Sequence, residues 1–225
     1  MIPFRNRSAA GKLLGEALHP LRDLEDVVVL ALPRGGVPVA YEVASALSAP
    51  LDVIVVRKVR HPDQHQRALG ALAGRGEGVF EHREEQADPV SKQAFDAGRL
   101  KEMEELERLV TSYQSKRGRV SLEEKLVIIV DDGIATGATM LAALRAVRRE
   151  GPRGVVVAVP VAAGESLDII DACADQVTCL HRPKHFVAVS QFYIDYSQIP
   201  DVEVRRLLDS ARRSYHAAHH QPSSS

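Results

Sequence analysis

From Leu126 to Leu144 the chain reads LVIIVDDGIATGATMLAAL: five apolar residues, two adjacent aspartates, a loop of small residues, then a helical pattern. Asp131 and Asp132 stand at the carboxyl end of a strand, where α/β sheets bind their ligands. Gly133 and Gly137 free the loop backbone around Ile134 and Ala135, and Thr136 and Thr139 add hydroxyls. The N–H groups opening the following helix, from Ala138, favour an anion. The loop is not a nucleotide P-loop, since no lysine follows the second glycine, and it lacks the G-x-G-x-x-G of dinucleotide folds. Two acids beside an anion cradle would repel the anion unless they face sugar hydroxyls or a cation. A helix N-cap accounts for one acid and leaves the other unexplained.

A second strand end, LPRGGVPVA, has a similar layout. Pro33 and the Gly35–Gly36 pair break the strand, and a helix begins near Val37. The glycines let backbone approach a ligand closely, and Arg34 adds a guanidinium that keeps its charge. A plain strand-to-helix connection would show the same pattern.

The elements that must position these loops follow from apolar patterning. Consecutive apolar runs at Val27–Leu32, Leu51–Val56, Leu126–Val130 and Gly154–Val159, with a weaker one at Gln176–Leu180, read as strands covered on both faces. Helical patterns at Val37–Leu47, Ala138–Glu150 and Glu165–Ala174 alternate with them, which implies right-handed βαβ units and a parallel sheet with helices on both faces. The interval after the second strand is the exception. Its ALGALA and GVF runs, separated by GRGE, are expected to form a small hairpin or an edge strand. A charged helix follows, with Leu100, Met103, Leu106, Val110 and Tyr113 expected on one packed stripe. Arg57 and Lys58 alternate along a strand, so they should point to opposite faces.

The chain has 225 residues, is 45% hydrophobic and carries a formal charge of -1, enough for one sizeable core and no encouragement for nucleic-acid binding. No apolar run is long enough to span a bilayer, and MIPFRNRSAAGKLLGEALHPL reads as an amphipathic helix rather than a secretory signal. A cytoplasmic location is expected. Cys173 and Cys179 are expected to be free thiols, and AAHHQPSSS a frayed tail.

VIIVDDGIATGAT resembles the phosphoribosyl pyrophosphate (PRPP) signature of type I phosphoribosyltransferases, LPRGGVPVA resembles their pyrophosphate loop, and VVRKV at Val55–Val59 resembles the segment donating basic residues to pyrophosphate. From FRNRSAAGKLL through FYIDYSQIPDVEV the chain is similar to a bacterial and archaeal subgroup whose acceptor is generally unassigned. The resemblance implies a three-layer α/β fold with a mostly parallel twisted sheet, about five parallel strands plus one antiparallel edge strand, for which ALGALA is the candidate. It implies a single domain over residues 1–215, with a hood from about 1–22 and 181–215, a lid or insert at about 60–120, and a flexible tail at 216–225. Asp131 and Asp132 would hold the ribose hydroxyls, and Ala135, Thr136, Gly137, Ala138 and Thr139 the 5-phosphate, with Gly133 and Ile134 completing the loop. Arg34, Gly35, Gly36 and Lys58 would contact pyrophosphate. Mg²⁺ would be held mainly through PRPP, with Asp131 and Asp132 reaching it through water.

The reaction implied is transfer of 5-phosphoribosyl from PRPP to a nitrogen acceptor, such as a nucleobase, by a homodimer. The alternative is a regulatory protein that senses PRPP or a nucleotide without turnover. Ala135 replaces the acid that hypoxanthine and guanine salvage enzymes carry near the base. His65 and Gln66 stand where relatives tend to carry Pro-Glu, and His61 and His65 are candidate acids or bases. Phe186, Phe192 and Tyr193 are the aromatic candidates for holding the acceptor, with Asp195 and Ser197 as polar ones. On the sequence alone, Asp132→Asn is expected to weaken PRPP or nucleotide binding, measured by calorimetry, and to leave the melting temperature nearly unchanged.

Overall fold

The computed structural model describes residues 2–60, 68–75, 79–83, 89–113 and 119–219. Helix α1 (Arg7–Ala17) precedes β1 (Val27–Ala31), α2 (Gly36–Leu47), β2 (Leu51–Val53) and β3 (Val55–Arg60). Then come β4 (Ala68–Gly74), β5 (Val79–Arg83), α3 (Pro89–Tyr113), β6 (Leu126–Val130) and α4 (Ala138–Arg148). The chain continues with β7 (Gly154–Val161), α5 (Gly164–Asp171), β8 (Gln176–His181) and α6 (Asp201–His219). Five strands form a parallel sheet in the order β2-β1-β6-β7-β8.

Both faces of that sheet are buried. Val27, Val29 and Ala31 of β1 pack with α2 and α6 residues, while Val28 and Leu30 pack with α4. That is why its strands read as continuous apolar runs instead of alternating ones.

The run read as one strand over Leu51–Val56 is two. β2 ends at Val53, and after Ile54 the chain leaves the parallel sheet as β3. The ALGALA run lies in β4, which pairs antiparallel with β3 and, on its other side, with β5. The antiparallel strand therefore sits in a second, three-stranded sheet, β3-β4-β5, and does not edge the parallel one. Ile54 and Val55 are buried, so nothing in the apolar pattern marks the change of direction. In α3, Leu106, Val110 and Tyr113 are buried but Leu100 is 55% exposed. The buried line runs from Phe95 through Leu106, and Leu100 falls to its flank. Helix α6 continues to His219, beyond the expected onset of the tail; residues 220–225 lie outside the described set, as do His61, His65 and Gln66. Cys173 and Cys179 are free thiols. Among the described residues no helix is long and apolar enough to cross a membrane.

The two ends of the domain are joined. Phe4 forms a parallel bridge with Tyr193, and its N–H donates to the Phe192 carbonyl at 2.8 Å. Asn6 caps α1 by accepting from the Ala9 N–H at 2.9 Å. Two glycines then bring α1 close to α2. A Cβ at Gly11 would lie 2.7 Å from the Val39 carbonyl oxygen and 2.9 Å from Val39 Cα. Ala would gain about 0.5–1 kcal/mol of helix propensity at Gly11. Overpacking against backbone, which cannot rotate away, costs about 1–3 kcal/mol and should win. Gly11→Ala is therefore expected to lower stability by about 1–2 kcal/mol, read as an earlier urea midpoint.

Candidate functional site

Strands β1 and β6 pair parallel over their full length, from Val27 with Leu126 to Ala31 with Val130. They are adjacent although α2, β2 to β5 and α3 separate them in the chain. On one side of them lies β2, on the other β7 and β8, so this is where strand order reverses. A crevice opens at the carboxyl ends of strands at such a point. The equal register makes the loops after Ala31 and after Val130 leave the sheet at one level, and Leu32 N–H donates to the Val130 carbonyl at 2.9 Å.

The loops then press together. A Cβ at Gly35 would run into the Asp132 carboxylate, 2.7 Å from its Cγ. One at Gly36 would stand 2.8 Å from the Val130 carbonyl oxygen and 3.1 Å from Asp131 Oδ1. The glycine pair is thus required by the neighbouring loop, whatever a ligand requires. The Pro33–Arg34 peptide between them and β1 is cis.

Asp131 accepts a 2.8 Å hydrogen bond from the Asp132 N–H through Oδ1. Burial raises its pKa well above the ordinary carboxylate value, and the charge of Asp132 adds to that rise. Arg7 and Lys58 act in the opposite direction. Asp132 is buried and pairs with Arg7, whose Nε donates to Oδ2 at 2.7 Å. Its backbone carbonyl accepts from the Tyr193 hydroxyl at 2.6 Å. Burial first, and the Asp132 charge second, push the Tyr193 phenol up and the Tyr196 phenol up to about 12. Both phenols therefore stay neutral and keep their protons.

After the acids the chain is anchored by its backbone. Ile134 N–H donates to the Val161 carbonyl, and Ala163 N–H to the Ile134 carbonyl, each at 2.9 Å. The Ala135 carbonyl accepts from Ser166 Oγ at 2.6 Å. Gly137 takes φ of 74°, open to glycine at no steric cost, and turns the chain into α4. Among the described residues, the backbone N–H groups of Ala135, Thr136, Gly137, Ala138 and Thr139 donate to no protein acceptor. Unsatisfied donors in a row at the start of a helix form an anion site.

The basic candidates differ in setting. Lys58 is half-buried on β3; burial lowers its pKa, nearby Arg60 lowers it further, and Asp131 opposes both. Arg57 points elsewhere, pairing with Glu102 of α3 at 2.7 Å. Arg34 is exposed, with Nη1 3.8 Å from Asp201 Oδ1 at the start of α6. The same Asp201 oxygen accepts from the Tyr113 hydroxyl at 2.6 Å.

A groove of about 700 Å³ opens beside the Ala135–Thr136 backbone, lined also by Gly164, Glu165, Arg182, Lys184 and Phe186. Of the three aromatic acceptor candidates, Phe186 lines this groove. Phe192 and Tyr193 are instead buried with Phe4 and Ala10, so they pack the hood. Of the polar candidates, Ser197 gives its carbonyl to Arg7 and Asp195 accepts from the Ser197 N–H. Sequence reasoning missed Arg7 and Ser166. Arg7 had one readable signal: a cation at the first position of a helix opposes the helix dipole, so something else must hold it there.

Two sign-dependent outcomes follow. Asp132→Asn leaves the buried Arg7 without its counter-ion, so it is expected to cost about 3–5 kcal/mol in chemical denaturation, unlike the neutral effect expected from sequence. A carboxyl whose pKa is raised on folding binds its proton more tightly in the folded chain. The Asp131 contribution to stability therefore grows as pH falls through the raised value, and is complete below the ordinary 3.8. Melting curves across pH should show this gain in the unaltered chain and its absence in Asp131→Asn.

The phosphoribosyl transferase domain model matches residues 7–197 of the chain. A protein of Mycobacterium tuberculosis strain H37Rv, named as a candidate phosphoribosyl transferase, is 42% identical over 212 residues, 94% of this chain and 48% of that protein. Its counterpart in strain CDC 1551 gives the same values. The chain thus spans about half the length of the curated relatives it matches. A crystal structure of a Thermus thermophilus protein is 41% identical, with a TM-score of 0.78 over 92% of this chain and 98% of that one.

Proposed function

The chain belongs to the phosphoribosyltransferase family, and we propose that it transfers 5-phosphoribosyl from PRPP to a nitrogen acceptor with release of pyrophosphate. The observation that carries this reading is the row of unpartnered N–H groups from Ala135 to Thr139, placed directly after two carboxylates. A ligand with a phosphate at one end and vicinal hydroxyls next to it meets both features. A bare phosphate would leave the acids repelling it.

In this reading the Ala135–Thr139 backbone binds the 5-phosphate, and Asp131 and Asp132 accept from the ribose hydroxyls. Breaking the C1–O bond leaves positive charge on the sugar and negative charge on the departing pyrophosphate. Lys58 and Arg34 stabilise that negative charge, and the buried carboxylates hold the ribose while the acceptor nitrogen attacks C1. The acceptor enters from the groove beside Thr136 and packs on Phe186. Among the described residues no cluster of three or more His, Cys, Asp or Glu is placed to hold a metal ion. Two carboxylates are hard oxygen donors suited to Mg²⁺ that stays largely hydrated or ligand-bound. Mg²⁺ would neutralise pyrophosphate charge, with Asp131 and Asp132 reaching it through water.

Calorimetry should show PRPP binding in the presence of Mg²⁺, and a screen of pooled bases and amines should find one that triggers pyrophosphate release. Lys58→Met is expected to lower kcat/KM for PRPP by about 100-fold, the scale for losing one group that stabilises developing charge. PRPP binding without release across the panel would favour a sensor, and no PRPP binding would overturn the assignment.

A further inference from the structure

Asp132 is engaged before any ligand arrives. Its Oδ2 accepts from Arg7 Nε at 2.7 Å, and the other end of that guanidinium, Nη1, donates to the Ser197 carbonyl at 2.8 Å. The Arg7 guanidinium carbon also lies 3.9 Å from the centroid of the Tyr196 ring. Arg7 and Asp132 are 8% and 7% exposed, so this is a buried pair closed over 125 residues of sequence. The carboxylate is confined on its other sides as well. Gly35 leaves no room for a side chain beside it, and Tyr193 fixes the main chain of the same residue through its carbonyl.

Two adjacent acids in a crevice repel one another, and a carboxylate there has no fixed orientation without a partner. A neutral or freely rotating acid is a poor acceptor for a pair of sugar hydroxyls. A guanidinium cannot give up its charge, and its planar fork fixes what it binds. Arg7 Nε meets a single oxygen of Asp132, so the pairing orients the carboxylate without enclosing it.

We propose that Arg7 is a positioning residue for the sugar site: it sets the orientation of Asp132 and ties that setting to the joining of α1 with the segment after β8. It touches no reacting atom. Its other contacts, Ser197 and Tyr196, belong to that C-terminal segment, so Asp132 is properly held only while the two ends of the hood are together. This rests on the reading of Asp131 and Asp132 as ribose-binding groups.

The test is a double-mutant cycle read by calorimetry with PRPP and Mg²⁺. Arg7→Met should weaken PRPP binding by about tenfold or more, and Arg7→Lys should recover part of the loss. In an Asp132→Asn background, Arg7→Met should change affinity less than about twofold, because the residue through which it acts is already altered. Arg7→Lys separates positioning from simple packing, since it restores a charge facing Asp132 while methionine of similar bulk does not.

Wild-type affinity in Arg7→Met would overturn the proposal. So would a tenfold loss that persists in the Asp132→Asn background. If Arg7→Met alone fails to fold, comparing the double variant with Asp132→Asn decides, since neither leaves the Asp132 carboxylate buried without its cation. Ribose 5-phosphate, titrated in parallel, reads the same residues without the pyrophosphate. A chain that ignores PRPP but binds ribose 5-phosphate fails the transferase reading while still testing Arg7. A chain that binds neither overturns both.

Discussion

The register between β1 and β6 is the constraint from which the site follows. Pairing Ala31 with Val130 makes two strand-to-helix loops, far apart in sequence, depart side by side. Once they do, the loop after β1 has no room for side chains where it crosses the aspartates. Gly35 and Gly36 meet the Asp132 carboxylate, the Val130 carbonyl and Asp131 at distances that a Cβ cannot tolerate. Shifting the register by one residue would turn every buried side chain of β1 to the opposite face. With Val27, Val29 and Ala31 packed on one face and Val28 and Leu30 on the other, the core holds the loops in place.

Charge is arranged around that contact with the acids innermost. Asp131 is disfavoured as an anion by burial and by its neighbour, and Asp132 is matched by Arg7. The remaining cations sit further out, Lys58 half-buried and Arg34 exposed near Asp201. A crevice built this way suits a ligand that carries both hydroxyls and anionic groups. The hood contributes through backbone as much as side chains: the Phe4 strand bridge and the Ser197 carbonyl are main-chain features.

Much of the architecture was legible. Four of the five parallel strands fall within two residues of the runs read from the sequence, because strands buried on both faces leave an uninterrupted apolar signature. What was misread lies where that signature carries no direction. Leu51 to Val56 is apolar enough to look like one strand, yet it changes sheets at Ile54. The ALGALA strand and its hairpin with the GVF run were among the expected forms, but its pairing with β3 was not, since that depends on where the chain turns. Phe192 and Tyr193 were candidates for a ligand wall because aromatics serve ligands and cores alike. Only their burial with Phe4 and Ala10 separates the two uses.

The sequence by itself determined the local pieces: the apolar strands, the glycine-bearing turns, the paired aspartates and the row of N–H groups opening α4. Each of these is set by neighbours a few residues away, through periodicity, φ freedom and unsatisfied helix donors. Tertiary structure decided which pieces meet. The contact of Gly35 with Asp132, the pairing of Arg57 with Glu102, and the pairing of Arg7 with Asp132 depend on register and on helix packing. No local pattern encodes a buried ion pair across 125 residues. Its two charges become partners only when the fold has removed both from water, which makes each costly without the other.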